Sequence, residues 1–229
     1  MMGRFLREAR AASAAEFALV LPPALLLLFG VIDVGRYAWQ LNQYEKAVQL
    51  GARYAVATTV IPGALAADDA FQNQSCNGTT LTYGDPICAS AMQPISCSIP
   101  VASGNDVSMV GCGCDASAGT GVCLSGNPRS APFGAIVSRM RVASPRINAG
   151  NVVVDYAGSG VGYHGDPATY TDSTGAEVPL PDAAPIVTVK LRDLRYTSIT
   201  LSLFKGASVR YPTFSYSLTL EDGDGTVAS

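Results

Sequence analysis

From Phe17 to Ile32 the chain reads Phe-Ala-Leu-Val-Leu-Pro-Pro-Ala-Leu-Leu-Leu-Leu-Phe-Gly-Val-Ile, without one charged or hydrogen-bonding side chain. Ala14 and Ala15 extend it backwards across a single acid, Glu16. As a helix, Ala14 to Ile32 covers roughly 28 Å, the thickness of a bilayer's hydrocarbon layer, which predicts one transmembrane helix over 12–33. Arg4, Arg7 and Arg10 precede it against one acid, Glu8. Positive flanks stay on the cytoplasmic side, so everything after Asp33 is expected outside. A secretory signal peptide shares the basic start and apolar centre but ends in a small-x-small cleavage site. Val31-Ile32-Asp33-Val34-Gly35-Arg36-Tyr37 fits such a site poorly, which favours a retained helix. Pro22-Pro23 would break a soluble helix, whereas a membrane helix tolerates the kink.

Past Asp33 the helical pattern persists. Tyr37, Leu41, Tyr44, Val48, Gly51 and Ala55 recur at spacings of three and four, with Arg36, Gln40, Asn42, Gln43, Glu45, Lys46 and Gln49 on other faces. That is an amphipathic extension over 34–61, giving one helix from about Ala14 to about Ala57, ended by Pro62-Gly63. Asp33 and Arg36 stand at pairing distance on such a helix and read as the interfacial end of the span. Gly51 and Ala55 offer small surfaces for close approach of another helix.

Residues 62–150 are rich in Gly, Ser, Ala, Asn and Pro and hold all six cysteines: Cys76, Cys88, Cys97, Cys112, Cys114 and Cys123. An even number confined to the exported side reads as a disulfide framework, stapling a segment poor in large apolar residues. Fifteen connectivities are open, although Cys112-Gly-Cys114 is badly placed to bond to itself. No Cys-x-x-Cys occurs and the chain has a single histidine, so a metal centre is the weaker reading. Over 151–229, Val152–Tyr156, Ile186–Arg192 and Phe214–Leu220 read as strands, the last alternating apolar and polar. The expected fold is α+β: a long N-terminal helix, half transmembrane and half amphipathic, packed on a small antiparallel sheet, with a disulfide-rich loop region. Gly158 to Pro185 reads as a polar surface loop, and Tyr156, Tyr163 and Tyr170 as packing residues.

Charged residues make up only 14% of the chain and the net charge is -3, with no basic cluster, which argues against nucleic acid as a partner. Catalysis finds no foothold either. The sole histidine, His164, sits in Gly162-Tyr163-His164-Gly165-Asp166 and reads as a loop residue, with no Gly-x-Ser-x-Gly elbow in the chain. Gly158-Ser159-Gly160-Val161-Gly162 reads as turns, because no helix follows it to cradle a phosphate. Asp222-Gly223-Asp224-Gly225 is too close to the C-terminus to complete a calcium loop, and in Asp115-Ala116-Ser117-Ala118-Gly119 a glycine stands where a metal-ion adhesion pattern wants its second serine. Neither cofactor nor enzymatic activity is expected.

Ala11-Ala12-Ser13-Ala14-Ala15-Glu16-Phe17-Ala18-Leu19-Val20-Leu21-Pro22, then Phe29-Gly30-Val31-Ile32-Asp33-Val34-Gly35-Arg36, then Gly51-Ala52-Arg53-Tyr54-Ala55, resembles the TadE-like family of tight-adherence pilus proteins. The tail, Leu203-Phe204-Lys205-Gly206 through Tyr211-Pro212-Thr213-Phe214 to Leu220-Glu221-Asp222, is similar to the end of such proteins. The resemblance implies a minor pilin or pseudopilin in the bacterial inner membrane. Its N-terminus would be cytoplasmic and its C-terminal domain periplasmic or extracellular, and it could pass into a surface pilus. It also implies a basic leader over 1–11, removed by a prepilin peptidase between Ala11 and Ala12, with Glu16 and Phe17 as positions five and six of the mature chain. Prepilins prefer Gly before the cut, where this chain has Ala11. The implied partners are the membrane, the peptidase, the major pilin, other minor pilins and the pilus assembly platform. The other role compatible with the sequence is an adhesin-like surface-binding module on the same anchor.

Overall fold

The computed structural model describes residues 9–67, 69–115, 117, 121–166, 169–171, 177–202 and 208–220. α1 (Ala9–Val56) is a single helix with Pro22 and Pro23 inside it. It contains a stretch of mean hydropathy 2.3 that is almost entirely bare, and is long and apolar enough to cross a membrane. The helix stops before Pro62 because Thr58 intervenes: its hydroxyl donates to the Tyr54 carbonyl at 2.8 Å, satisfying a backbone acceptor that a further turn would have used.

The chain forms two compact units: residues up to Asn42 with Arg195–Tyr211, and Gln43–Leu194 with Pro212 onward. In the second, β1 (Ser75–Cys76) and β2 (Thr79–Thr80) pair with each other, and β3 (Ile95–Ser98), β4 (Gly111–Cys114), β5 (Val152–Ala157), β8 (Ile186–Leu191) and β11 (Phe214–Thr219) make a five-stranded sheet in the order β11-β8-β5-β3-β4. All its neighbours are antiparallel. Its core face presents Ile95, Cys97, Val152, Val154, Tyr156, Val187, Val189 and Leu191, all buried. The other face carries Ser96, Asp155, Thr188 and Ser217, aligned across four strands.

Two helical surfaces cover the core face. α2 (Ser130–Ala143) buries Phe133, Ile136, Val137 and Met140, and the last part of α1 buries Tyr44, Ala47, Val48, Ala52, Ala55 and Val56. A Cβ on Gly51 would sit 2.7 Å from Met140 Cγ and 3.3 Å from Val189 Cγ1, so α1, α2 and β8 meet there. The small residues Gly51 and Ala55, expected to receive another helix, are used inside the unit. The fully buried Tyr156 closes the same core: its hydroxyl accepts the Ile61 N–H at 3.1 Å, and burial pushes the phenol pKa well above its ordinary value.

The cysteines pair as Cys76–Cys88, Cys97–Cys112 and Cys114–Cys123. Cys97 and Cys112 are directly opposite in the β3/β4 ladder. The Cys-rich stretch does more than loop. It supplies β3 and β4 to the main sheet, and Phe71, Leu81, Ile87, Met92 and Ile99 to the core. The presumed loop over 158–185 likewise contains an antiparallel pair, β6 (Thr169–Thr171) with β7 (Glu177–Pro179).

Gly51→Ala is expected to lower stability by about 1–3 kcal/mol, because the added methyl has no room against Met140 and Val189. The check is a lower denaturant midpoint with an unchanged slope for the detergent-solubilised chain.

Candidate functional site at the end of the apolar helix segment

The apolar run of α1 ends at Asp33, and this carboxylate is buried, at 6% exposure. Segment 195–202 wraps it. The Tyr196 hydroxyl lies 2.9 Å from Oδ1 and 2.9 Å from the Asp33 carbonyl oxygen. Oδ1 also accepts the Ile199 N–H at 2.9 Å. Oδ2 accepts the Ser198 hydroxyl at 2.6 Å, the Thr200 N–H at 2.8 Å and the Thr200 hydroxyl at 2.6 Å. Both backbone donors belong to the first turn of α3 (Ile199–Ser202), whose amides have no intrahelical acceptor. One side chain of α1 thus does for α3 what a capping residue does from within the chain. Arg36 Nη1 stands 4.0 Å from Oδ1, at the outer limit of an ion pair, and its guanidinium lies 6.0 Å from the Tyr196 ring centre.

Two further residues of α1 continue the contact at helical spacing. Tyr37 stacks parallel on Tyr211, with ring centres 5.0 Å apart, and meets Tyr196 edge-on at 5.4 Å. Gln40, 5% exposed, accepts the Tyr211 hydroxyl through Oε1 at 2.5 Å. Asp33, Tyr37 and Gln40 are four and three residues apart, one face of a helix. β9 (Arg195–Thr197) and β10 (Ser208–Arg210) pair antiparallel and frame the wrapped segment.

The sequence placed Asp33 at the interface with Arg36 as its partner and put Gln40 on a polar face. In the structure neutral donors hold Asp33, and Gln40 is buried. The signal within α1 is the run of hydrogen-bonding residues Asp33, Tyr37 and Gln40 on one stripe. The neutral donors to Asp33 are 163 or more residues away, where no local pattern indicates them.

The residues named from the resemblance lie elsewhere. Ala11 and Ala12 are within α1, and Glu16 and Phe17 are exposed on it. The six cysteines form the three disulfides above. His164, read as a loop residue, lies in a turn and is only 3% exposed. Its Nδ1 is 3.3 Å from Asp182 Oδ2 and its ring stacks on Tyr83 at 5.0 Å, with Asp182 also accepting the Gly165 N–H. The neighbouring Asp85 carboxyl is held below the usual range by the Thr82 N–H and hydroxyl. Gly165 has φ +74°, and a Cβ there would collide with Tyr83. Gly160 and Gly162 take positive φ, as turns require. Tyr156 is in the core, Tyr163 is exposed, and the Tyr170 side chain lies outside the described residues, as do Asp222–Gly225. Asp115 is satisfied by the Ser117 N–H and hydroxyl. Among the described residues no cluster of His, Cys, Asp and Glu is arranged to hold a metal.

The class defined by this geometry is an α+β protein whose N-terminal helix is bare and apolar in its first half and part of a core in its second. Within it, residues 11–53 match the family model described as TadE-like protein. The match includes Glu16, Phe17, Asp33, Tyr37, Gln40 and Gly51, and leaves out the segment that wraps Asp33. No curated protein and no solved structure matches the chain.

Asp33→Asn turns an amide N–H₂ toward donors that need an acceptor. With hydrogen bonds to a charged group worth about 1.5–3 kcal/mol each, tryptic cleavage after Arg195 and Arg210 is expected to accelerate by about tenfold or more. Tyr196→Phe, which removes one neutral donor, is expected to act more weakly in the same assay.

Proposed function

We propose that the chain is a minor pilin-like structural and assembly component of a bacterial tight-adherence pilus. In this reading it is anchored in the inner membrane by α1 before incorporation, with a cytoplasmic N-terminus and a periplasmic C-terminal domain. The observation that carries the proposal is the coincidence of the TadE-like match over 11–53 with a helix whose apolar run is largely bare: Leu19, Val20, Leu25, Leu26, Leu27 and Leu28 are all exposed. Such a surface has to be covered by lipid or by other apolar helices.

Glu16 fits the same reading. A carboxylate within an apolar span costs about 2.5–3.5 kcal/mol on insertion scales, and Glu16 is exposed on α1. Cleavage between Ala11 and Ala12 by a prepilin peptidase would create an α-amino group close to it in sequence. In an assembled pilus, the amino terminus of a neighbouring subunit, the major pilin or another minor pilin, supplies the counter-charge. Before that, the pilus assembly platform receives the subunit from the membrane.

The test is the mature N-terminus, determined by mass spectrometry of membrane-extracted protein from cells with and without the peptidase. A chain that begins at Ala12 only when the peptidase is present is the expected result, and an intact leader in both strains would sink the processing step. Given that processing, Glu16→Ala is expected to reduce the amount of the protein in sheared pili by about tenfold or more, with membrane insertion unchanged.

A further inference from the structure

We propose that Arg195 and Arg210, with Arg36 of α1 over the ring of Tyr196 next to Arg195, bind the phosphate headgroups of anionic phospholipids at the boundary of the bilayer. The proposal rests on the membrane-anchored reading of α1. The first observation is a register. Arg195 and Arg210 are direct cross-strand partners in the β9/β10 pair, and both are exposed. Like charges directly opposite one another destabilise a two-stranded pair unless an anion lies between them. Arg195 Nη1 reaches the Ser208 hydroxyl at 3.4 Å, a neutral contact that leaves the repulsion in place.

The second observation is the local charge. The sequence over 34–42 and 195–211 contains no Asp or Glu, although the chain as a whole has a net charge of -3. The adjoining acid, Asp33, is occupied by the hydroxyls and amides of Tyr196, Ser198, Ile199 and Thr200. Glu8 and Glu16, the other acids of this unit, precede the apolar run, so the counter-anion for the arginines has to come from outside it.

The third observation is position. Asp33 follows directly on the apolar run, and the Tyr196 hydroxyl is 2.9 Å from it. β9 and β10 are thus tied to the helix where it leaves the hydrocarbon layer, and the headgroup zone extends only roughly 5–8 Å beyond that layer. Exposed Val34, Trp39, Ile199 and Val209 in the same unit supply the apolar and aromatic surface that favours such an interface. A planar guanidinium pair matches a phosphate through two parallel N–H donors, which a single lysine cannot do.

Trp39 is the only tryptophan of the chain and is 61% exposed, so it reports on its own surroundings. The full chain is reconstituted into phosphatidylcholine vesicles containing a minority of phosphatidylglycerol, with a headgroup quencher on one lipid or the other. Labelled phosphatidylglycerol is expected to quench Trp39 more than labelled phosphatidylcholine at equal mole fraction, by up to about fivefold per arginine engaged at low salt, and the excess is expected to fall in high salt. Arg195→Gln with Arg210→Gln is expected to remove the preference. So is Arg195→Glu, which gives Arg210 a cross-strand counter-charge and keeps the strand pair intact. Equal quenching by the two labels in the unaltered chain overturns the proposal, as does a preference that survives the double substitution. Displacement of the labelled lipid by inorganic phosphate overturns it in favour of a soluble anion. A chain that does not float with the vesicles brings down the anchoring reading as well, and flotation separates that failure from equal quenching in a chain that floats.

Discussion

A carboxylate at the end of an apolar helix needs hydrogen-bond donors wherever water is excluded, because an unpartnered buried charge costs several kcal/mol. Asp33 obtains them from Tyr196, Ser198, Ile199 and Thr200. All are neutral. Arg36 remains at 4.0 Å. Neutral donors satisfy the oxygens without making a buried ion pair, so the desolvation of a second charge is avoided. The arrangement also explains the composition of Tyr196-Thr197-Ser198-Ile199-Thr200: the hydroxyls and the first amides of α3 are the atoms the carboxylate needs.

The same helix meets a different constraint further on. From Tyr44 to Val56 its buried positions are mostly small, with Ala47, Ala52 and Ala55 around Gly51. Small residues let the backbone approach α2 and the sheet closely, and large side chains from the partners, Met140 and Val189, fill the space. Along 14–28, where the helix is exposed among the described residues, leucines predominate instead. The residue sizes along α1 follow what each stretch is packed against.

Much of this was legible in the sequence and some was not. The apolar run, the continuing helix and the strands at Val152, Ile186 and Phe214 announce themselves through local periodicity, and each is present. β3 and β4 escaped because Ile95-Ser96-Cys97-Ser98 and Gly111-Cys112-Gly113-Cys114 are short and their cysteines and glycines mask the alternation. The burial of His164 depends on Asp182 and on Tyr83, which lie on separate stretches of the chain. The contacts of Asp33 with Tyr196 and Thr200 span 163 and 167 residues, and that of Gln40 with Tyr211 spans 171. Local patterns specify elements, whereas a polar contact between distant segments leaves no periodic trace, and Asp33 could be recognised only as a residue in need of a partner.

The disulfides show the same limit from the other side. Of the connectivities left open, the structure has the one in which every cysteine bonds to the next in sequence, at separations of 12, 15 and 9. Loop closure of this length removes about 3 kcal/mol of unfolded-state freedom per bond in the chain-entropy account. Crossed pairings would also close loops, so entropy alone does not select this one. The β3/β4 register does: it sets Cys112 opposite Cys97 and Cys114 opposite Ile95, which leaves Cys114 for Cys123. A slip of two residues would exchange Cys112 for Cys114 in that ladder. Such a slip would also break the present hydrogen-bonded register of β4 on β3, while β3 itself is held by β5 through Cys97 opposite Val154. Backbone pairing of β3 with β4 therefore decides which cysteines meet, and the covalent bonds then hold the register of that ladder.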